Sequence, residues 1–137
     1  LSLHDALPIL FPQGAVVGLM ATLGTHSVGI YRHYLQAYPR LELVEPDEAG
    51  RQAVHGAIYD RTYGIKAVSP VTTRAVQILK GEAERLIERK AQAIILGCTE
   101  LPLALHEGMV ACPLVDPTKI VAQAAIKAVA PEKLRSA

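Results

Sequence analysis

The chemistry of this chain is concentrated where the apolar run Ala93-Ile94-Ile95-Leu96 gives way to Gly97-Cys98-Thr99-Glu100. A thiol, a hydroxyl and a carboxylate follow one another there. The thiol of Cys98 is the group with the widest repertoire, because its thiolate can accept a proton or act as a nucleophile. A free cysteine, with a pKa of roughly 8.5, is mostly protonated at neutral pH, and backbone N–H groups at a helix start favour the thiolate. Thr99 to Leu105 could supply such a start, with Pro102 tolerated in its first turn. Unpaired cysteines are also among the most buried residues, so spacing alone leaves Cys98 open between a core residue and a reacting group. Cys112, inside Val110 to Val115 and just before Pro113, reads as a core residue.

Several elements must position these groups. An apolar run bounded by Gly97 and Pro102 predicts a strand buried on both faces, Ala93 to Gly97, and ligands of open parallel sheets bind at the carboxyl ends of such strands. Ala15 to Met20 predicts a first strand, Leu41 to Val44 a second and Met109 to Val115 a fourth. Between them, Thr25 to Ala37 reads as one helix with an apolar stripe of Val28, Tyr31, Leu35 and Tyr38. Asp47 is a plausible N-cap for a helix over Glu48 to Arg61, with Ala53, Ala57 and Ile58 facing inward.

Tyr63-Gly64-Ile65-Lys66 breaks that helical pattern. A long helix over Thr72 to Arg89 follows, with Ala75, Ile78, Leu79, Ala83, Leu86 and Ile87 inside. Gly81 weakens it and is expected to mark a close contact; Lys80, Glu82, Glu84, Arg85, Glu88 and Lys90 are expected on a solvated face. A last helix, Pro117 to Val129, starts with a proline whose missing N–H costs nothing there. Strands alternating with helices predict an α/β fold with a parallel sheet of about four strands and right-handed crossovers.

With 137 residues, half of them hydrophobic, and a formal net charge of +1, the chain has the size and composition of one ordinary globular domain. Fourteen Lys and Arg against thirteen Asp and Glu, with one Phe and no Trp, argue against a nucleic-acid partner. The apolar runs are much shorter than the ~20 residues that span a bilayer, so no membrane partner is expected. The two cysteines form neither a disulfide framework nor a zinc spacing, and a reduced, cytoplasmic setting is expected. The N-terminus has no basic region or small-residue cleavage site of a signal peptide. The chain begins at Leu1 rather than Met, and residues 1–10 are expected to be a non-native or disordered segment ahead of a domain over 11–137.

Four strings in order, Ala21 to Tyr31 (ATLGTHSVGIY), Tyr63 to Ala67 (YGIKA), Gly97 to Leu105 (GCTELPLAL) and Pro113 to Thr118 (PLVDPT), resemble the aspartate/glutamate racemase superfamily. The resemblance covers about Val16 to Val129 and is to the second half of an aspartate racemase. It implies one lobe of a two-lobed racemase fold, truncated at its N-terminus. Such enzymes invert an amino-acid α-carbon with two cysteines on opposite faces, one removing and the other returning a proton, with no pyridoxal phosphate or other cofactor and no metal. General acid/base work of this kind needs groups close to the carbon with pKa values near the working pH.

The resemblance implies that Cys98 is the second of those cysteines. It gives Thr99 a carboxylate-binding role, Glu100 a role in orienting polar neighbours or in proton handling, and Lys66 the substrate's side-chain carboxylate; by residue type alone Lys66 would be a surface lysine. Thr22, Gly24 and Thr25 match the loop that approaches the α-carboxylate. His26 departs from that loop's usual residues and reads as solvated or capping in preference to a substrate-proximal donor. Glu100, where glutamate racemases carry His, points to aspartate or a related acidic amino acid.

The first cysteine of the family lies upstream in a Cys-Asn-Thr type motif that this chain lacks, so the chain is expected to be inactive alone. Its parent would be a homodimer. Ile120, Val121, Ala124, Ala125 and Ala128 are expected on an exposed apolar patch. Related superfamily enzymes, such as hydantoin racemase, maleate isomerase or arylmalonate decarboxylase, and a non-catalytic carboxylate-binding domain are the alternatives.

Overall fold

The computed structural model describes residues 3–134. Four strands, β1 (Ala15–Met20), β2 (Leu41–Val44), β3 (Ala93–Leu96) and β4 (Leu114–Val115), form one sheet in the order β2-β1-β3-β4. All three pairings are parallel, with Val17 opposite Ala93 and Met20 opposite Leu96. The α/β fold with about four parallel strands is therefore the one expected.

The alternating faces of β1 and β3 sort the core into two layers. Met20, Ile94 and Leu96 pack with Val54, Ala57 and Ile58 of α4 (Glu48–Tyr59, with α1 to α3 preceding it) and with Ala75, Leu79, Ala83 and Leu86 of α5 (Thr73–Glu88). Val17, Leu19, Ala93 and Ile95 face the other way, against Leu7 of α1 (Leu3–Leu10) and Leu35 of α3 (Ile30–Leu35). Burying each such Val, Leu or Ile contributes about 1.5–3 kcal/mol, so β1 and β3, covered on both faces, anchor the fold. Asp47 and Thr72 cap α4 and α5 by accepting the Gly50 and Ala75 N–H groups, which places both helix starts where the sequence puts them.

Local chemistry accounts for the departures. The single helix expected over Thr25–Ala37 is two short ones, α2 (Leu23–Val28) and α3, because Gly29 turns left-handed at φ 70°. Val28 is consequently thrown outward, 79% exposed, and leaves the expected stripe. The fourth strand shrinks to two residues: Gly108 has φ 88°, Pro113 has no N–H to donate, and the Leu114 N–H turns to the Glu107 carboxylate at 2.8 Å. Within α4, Val54 rather than Ala53 is buried.

A Cβ on Gly81 would meet nothing within 4 Å among the described residues, so the expected close contact is not there. Glu82 leaves the expected solvated face: it is buried, paired with Arg85, and its carboxylate lies beside Gly50 in the first turn of α4. The partial positive charge of a helix N-terminus favours an anion there.

Residues Leu3–Leu10, within the segment set apart by sequence, form α1, whose Leu7 is fully buried. The last long helix, α6 (Pro117–Val129), has no buried residue, and Val121 and Val129 are exposed. Among the described residues, no helix is long and apolar enough to cross a membrane.

Candidate active site

The sheet order reverses between β1 and β3: from β1 the chain goes to β2 on one side, then returns to β3 on the other. The carboxyl ends of two strands at such a reversal diverge and leave a crevice. Thr22 follows β1 and Cys98 follows β3 at this edge, and the Gly97 N–H donates to the Met20 carbonyl at 2.8 Å to hold the two ends together. Gly97 is required there. A Cβ on it would stand 2.9 Å from Leu19 Cδ1 and 3.1 Å from the Met20 carbonyl.

Lys66 reaches the same edge from a different element. Past α4, the Asp60 carboxylate accepts from the Thr62 N–H and hydroxyl and from the Tyr63 N–H. The Ile65 and Lys66 N–H groups then donate back to the Ala57 and Ile58 carbonyls. A Cβ at Gly64 would lie 2.5 Å from the Asp60 carbonyl oxygen, so this tight return needs glycine.

The three groups meet on Glu100. The half-buried Cys98 thiol donates to Oε2 of Glu100 at 2.8 Å, and the Thr99 hydroxyl donates to the same oxygen at 3.0 Å. Lys66 Nζ pairs with Oε1 at 3.0 Å. Held by the thiol first and then by the ammonium, the Glu100 carboxyl is lowered to about 2. Glu100 and Tyr59 raise Lys66. Burial, followed by the hydrogen bond to Glu100, pushes the Cys98 thiol up, and the Glu100 backbone N–H and Lys66 oppose this without reversing it.

The direction of the Cys98 shift corrects the expectation of a helix start that favours the thiolate. After Cys98 the chain makes only a short 3₁₀ turn, Leu101–Leu103, and the nearest charge to the sulfur is negative. Thr99 likewise turns its hydroxyl to Glu100. The expected loop is the start of α2: Thr22 is its N-cap, with Oγ1 accepting the Thr25 N–H at 3.3 Å and lying 3.1 Å from Thr25 Oγ1, while Gly24 in the first turn is exposed.

His26 is not solvated. It is 1% exposed, its Nδ1 lies 2.7 Å from Glu45 Oε1, and Nε2 is buried without a hydrogen-bond partner among the described residues. Arg32 pairs with the other Glu45 oxygen and donates to the His26 carbonyl, so this histidine fastens α2 to the end of β2. Cys112 is buried in the core as expected.

Sequence reading missed three neighbours. Tyr31, assigned only to a stripe, has its hydroxyl pKa raised, first by burial and then by Cys98. Tyr59 and His55 lie beside Lys66 and the first turn of α2. Their four-residue spacing on one helix face was the available signal.

A parallel α/β sheet thus gathers a cysteine, an acid and a lysine at its topological switch. The family profile described as Asp/Glu/Hydantoin racemase matches residues 2–125, and the chain belongs to that family. It is 34% identical over 105 residues to an uncharacterised protein of Pectobacterium carotovorum subsp. carotovorum, from the pnlA 3′ region, covering 75% of this chain and 65% of that one.

Among solved structures it is similar to a provisionally named Asp/Glu racemase from Yersinia pestis, with TM-score 0.77 and 28% identity. An aspartate racemase from Picrophilus torridus gives TM-score 0.70 at 25% identity. These matches cover 91% of this chain but 54% and 48% of the respective structures. The fold of an aspartate racemase homologue from Pyrococcus horikoshii OT3 is also shared, at TM-score 0.71 and 24% identity. The chain thus spans about half the length of these solved relatives.

Proposed function

We propose that the chain carries one half of the active site of a cofactor-independent racemase acting on aspartate or a related acidic amino acid. The observation that carries this reading is the convergence of Cys98, Thr99 and Lys66 on Glu100 at the crevice between β1 and β3. Cys98, held protonated by burial and by its hydrogen bond to Glu100, acts as the proton donor to one face of the substrate α-carbon. A second base, outside this chain, removes the proton from the opposite face. In the reverse direction the Cys98 thiolate accepts the α-proton, and the thiol so formed donates its hydrogen bond to the Glu100 carboxylate, which stays ionised and holds the proton on sulfur.

Lys66 faces the substrate's side-chain carboxylate. An ammonium carries three N–H donors, so one can stay on Glu100 while another turns to the ligand. Thr22, Gly24, Thr25 and Thr99 line the approach of the α-carboxylate, which requires the Thr22–Thr25 and Thr99–Glu100 hydroxyl contacts to open. Free thiols at Cys98 and Cys112 suit a reducing, cytoplasmic setting, and the parent protein is read as a homodimer.

Exchange of the aspartate α-proton in deuterated water, from each enantiomer, tests the assignment. A longer parent carrying the other lobe is expected to exchange and racemise, and its Cys98→Ala variant to lose racemisation by several orders of magnitude. Undiminished activity of that variant would remove Cys98 from the mechanism. The isolated chain is expected to show no racemisation, and full two-way turnover by it would refute the half-site claim. Binding of aspartate by the parent without any exchange would instead favour a carboxylate-binding domain.

A further inference from the structure

The Lys66 ammonium has a second partner besides Glu100. It lies 5.1 Å from the centroid of the Tyr59 ring, at the last residue of α4. Tyr59 in turn stacks on His55, one helical turn earlier, with centroids 4.7 Å apart and the rings inclined by 34°. His55 Nδ1 accepts the Leu23 N–H at 3.2 Å, which leaves the ring proton on Nε2. Leu23 opens α2, directly after Thr22. One continuous set of contacts therefore runs from the first turn of α2 through His55 and Tyr59 to Lys66, and on to Glu100 and Cys98.

Each link has a physical reason to matter. A lysine side chain that is 43% exposed, as Lys66 is, would sample many rotamers in water, and a single hydrogen-bond partner restrains only its tip. The face of an aromatic ring attracts the cation through its quadrupole and limits the directions from which the stem can approach. The tyrosine itself is 46% exposed, so core packing does not account for where its ring sits. His55, pinned by a backbone N–H, gives that ring a fixed surface to lie against.

We propose that Tyr59, backed by His55, is a positioning residue that holds the Lys66 ammonium beside Glu100 and Cys98 and ties its place to the first turn of α2. This rests on the reading of Lys66 as the cation for the substrate's side-chain carboxylate, and extends it to two residues that need not touch the substrate.

Competitive acetylation of the 137-residue chain with acetic anhydride, read peptide by peptide, tests the restraint without any substrate. Lys80, exposed on α5 and 3.9 Å from Glu84, serves as the internal reference. Tyr59→Leu is expected to raise the Lys66 to Lys80 labelling ratio several-fold. Tyr59→Phe keeps the ring and is expected to restore the original ratio, and His55→Ala is expected to raise it in the same direction as the leucine variant. With circular dichroism unchanged, equal ratios in the leucine variant and the parent sequence overturn the proposal. So does an equal rise in the phenylalanine and leucine variants, since the ring would then not be the restraint.

Calorimetric titration of L-aspartate into the longer parent protein carrying the same substitutions separates this inference from the function it rests on. Weakened binding in Tyr59→Leu, matching Lys66→Met and rescued in Tyr59→Phe, supports both. If no variant and not the parent sequence binds aspartate while the labelling pattern holds, the positioning stands and the substrate reading falls. If aspartate binds equally to the parent sequence and Tyr59→Leu, the positioning role is refuted and the substrate reading survives.

Discussion

Glu100→Gln is the substitution whose consequence follows most directly from the geometry. The Cys98 thiol donates to the Glu100 carboxylate at 2.8 Å, so ionising the thiol would set two negative charges against each other at contact distance. Coulomb's law for unit charges about 4 Å apart gives ~1 kcal/mol in water and ~4 kcal/mol at an effective dielectric of 20. This crevice is half open, with Glu100 20% and Lys66 43% exposed, which places the repulsion near the lower end. A release of about 1.4 kcal/mol corresponds to roughly tenfold more thiolate at a given pH below the thiol's pKa. Thiol nucleophilicity falls as pKa falls, with a Brønsted coefficient of about 0.4–0.5, so the net gain in alkylation rate is about threefold.

Iodoacetamide labelling near neutral pH, quantified by peptide mass, reads this rate at Cys98 and uses the buried Cys112 as internal reference. Lys66→Met supplies a sign control: it removes the cation that opposes the upward shift, and Cys98 labelling is expected to slow. If Glu100→Gln leaves Cys98 unchanged or slower while the fold is intact, the carboxylate does not hold the proton on the thiol, and the donor assignment for Cys98 fails.

Acid should act through Glu100 as well. Its carboxyl is lowered from 4.5 to about 2, so its stabilising contribution is present above pH 4.5 and is lost as pH falls toward about 2; denaturant midpoints across that window should drop more in the parent sequence than in Glu100→Gln. Two glycines should respond oppositely to alanine in thermal unfolding. Gly81→Ala, with nothing within 4 Å of its Cβ among the described residues, should stabilise α5 by about 0.5–1 kcal/mol. Gly50→Ala puts a Cβ 2.5 Å from Glu82 Oε2 and 2.9 Å from Pro46 Cβ, and should destabilise by about 1–3 kcal/mol despite its better helix propensity. Gly97→Ala should cost a similar ~1–3 kcal/mol through its contacts with Leu19 and Met20, and its Cys98 labelling should change because the two strand ends are forced apart.

Much of the architecture was legible because its causes are local. The β3 run is apolar at every position and β1 nearly so, and Asp47 and Thr72 stand directly before the helices they cap. Pro117 likewise opens α6, as expected of a residue with no N–H to give. A strand end carrying Gly97 and Cys98 was visible for the same reason. The Lys66, Thr22 and Glu100 assignments came instead from the order of the motifs, since a lysine or threonine in isolation has no distinguishing pattern.

Tertiary structure decided what depends on residues far apart in the chain. Glu82 occupies a solvated-looking position on α5, yet the start of α4 packs over it. His26 looked like a loop residue until Glu45 of the neighbouring strand end closed on it. The upward direction of the Cys98 shift comes first from burial of the sulfur and then from Glu100, while Lys66, brought in from a distant part of the chain, opposes it. Local pattern can place a thiol at the end of a strand, because strand formation is set by neighbouring residues; its protonation is set by burial and nearby charge, which are properties of the assembled crevice.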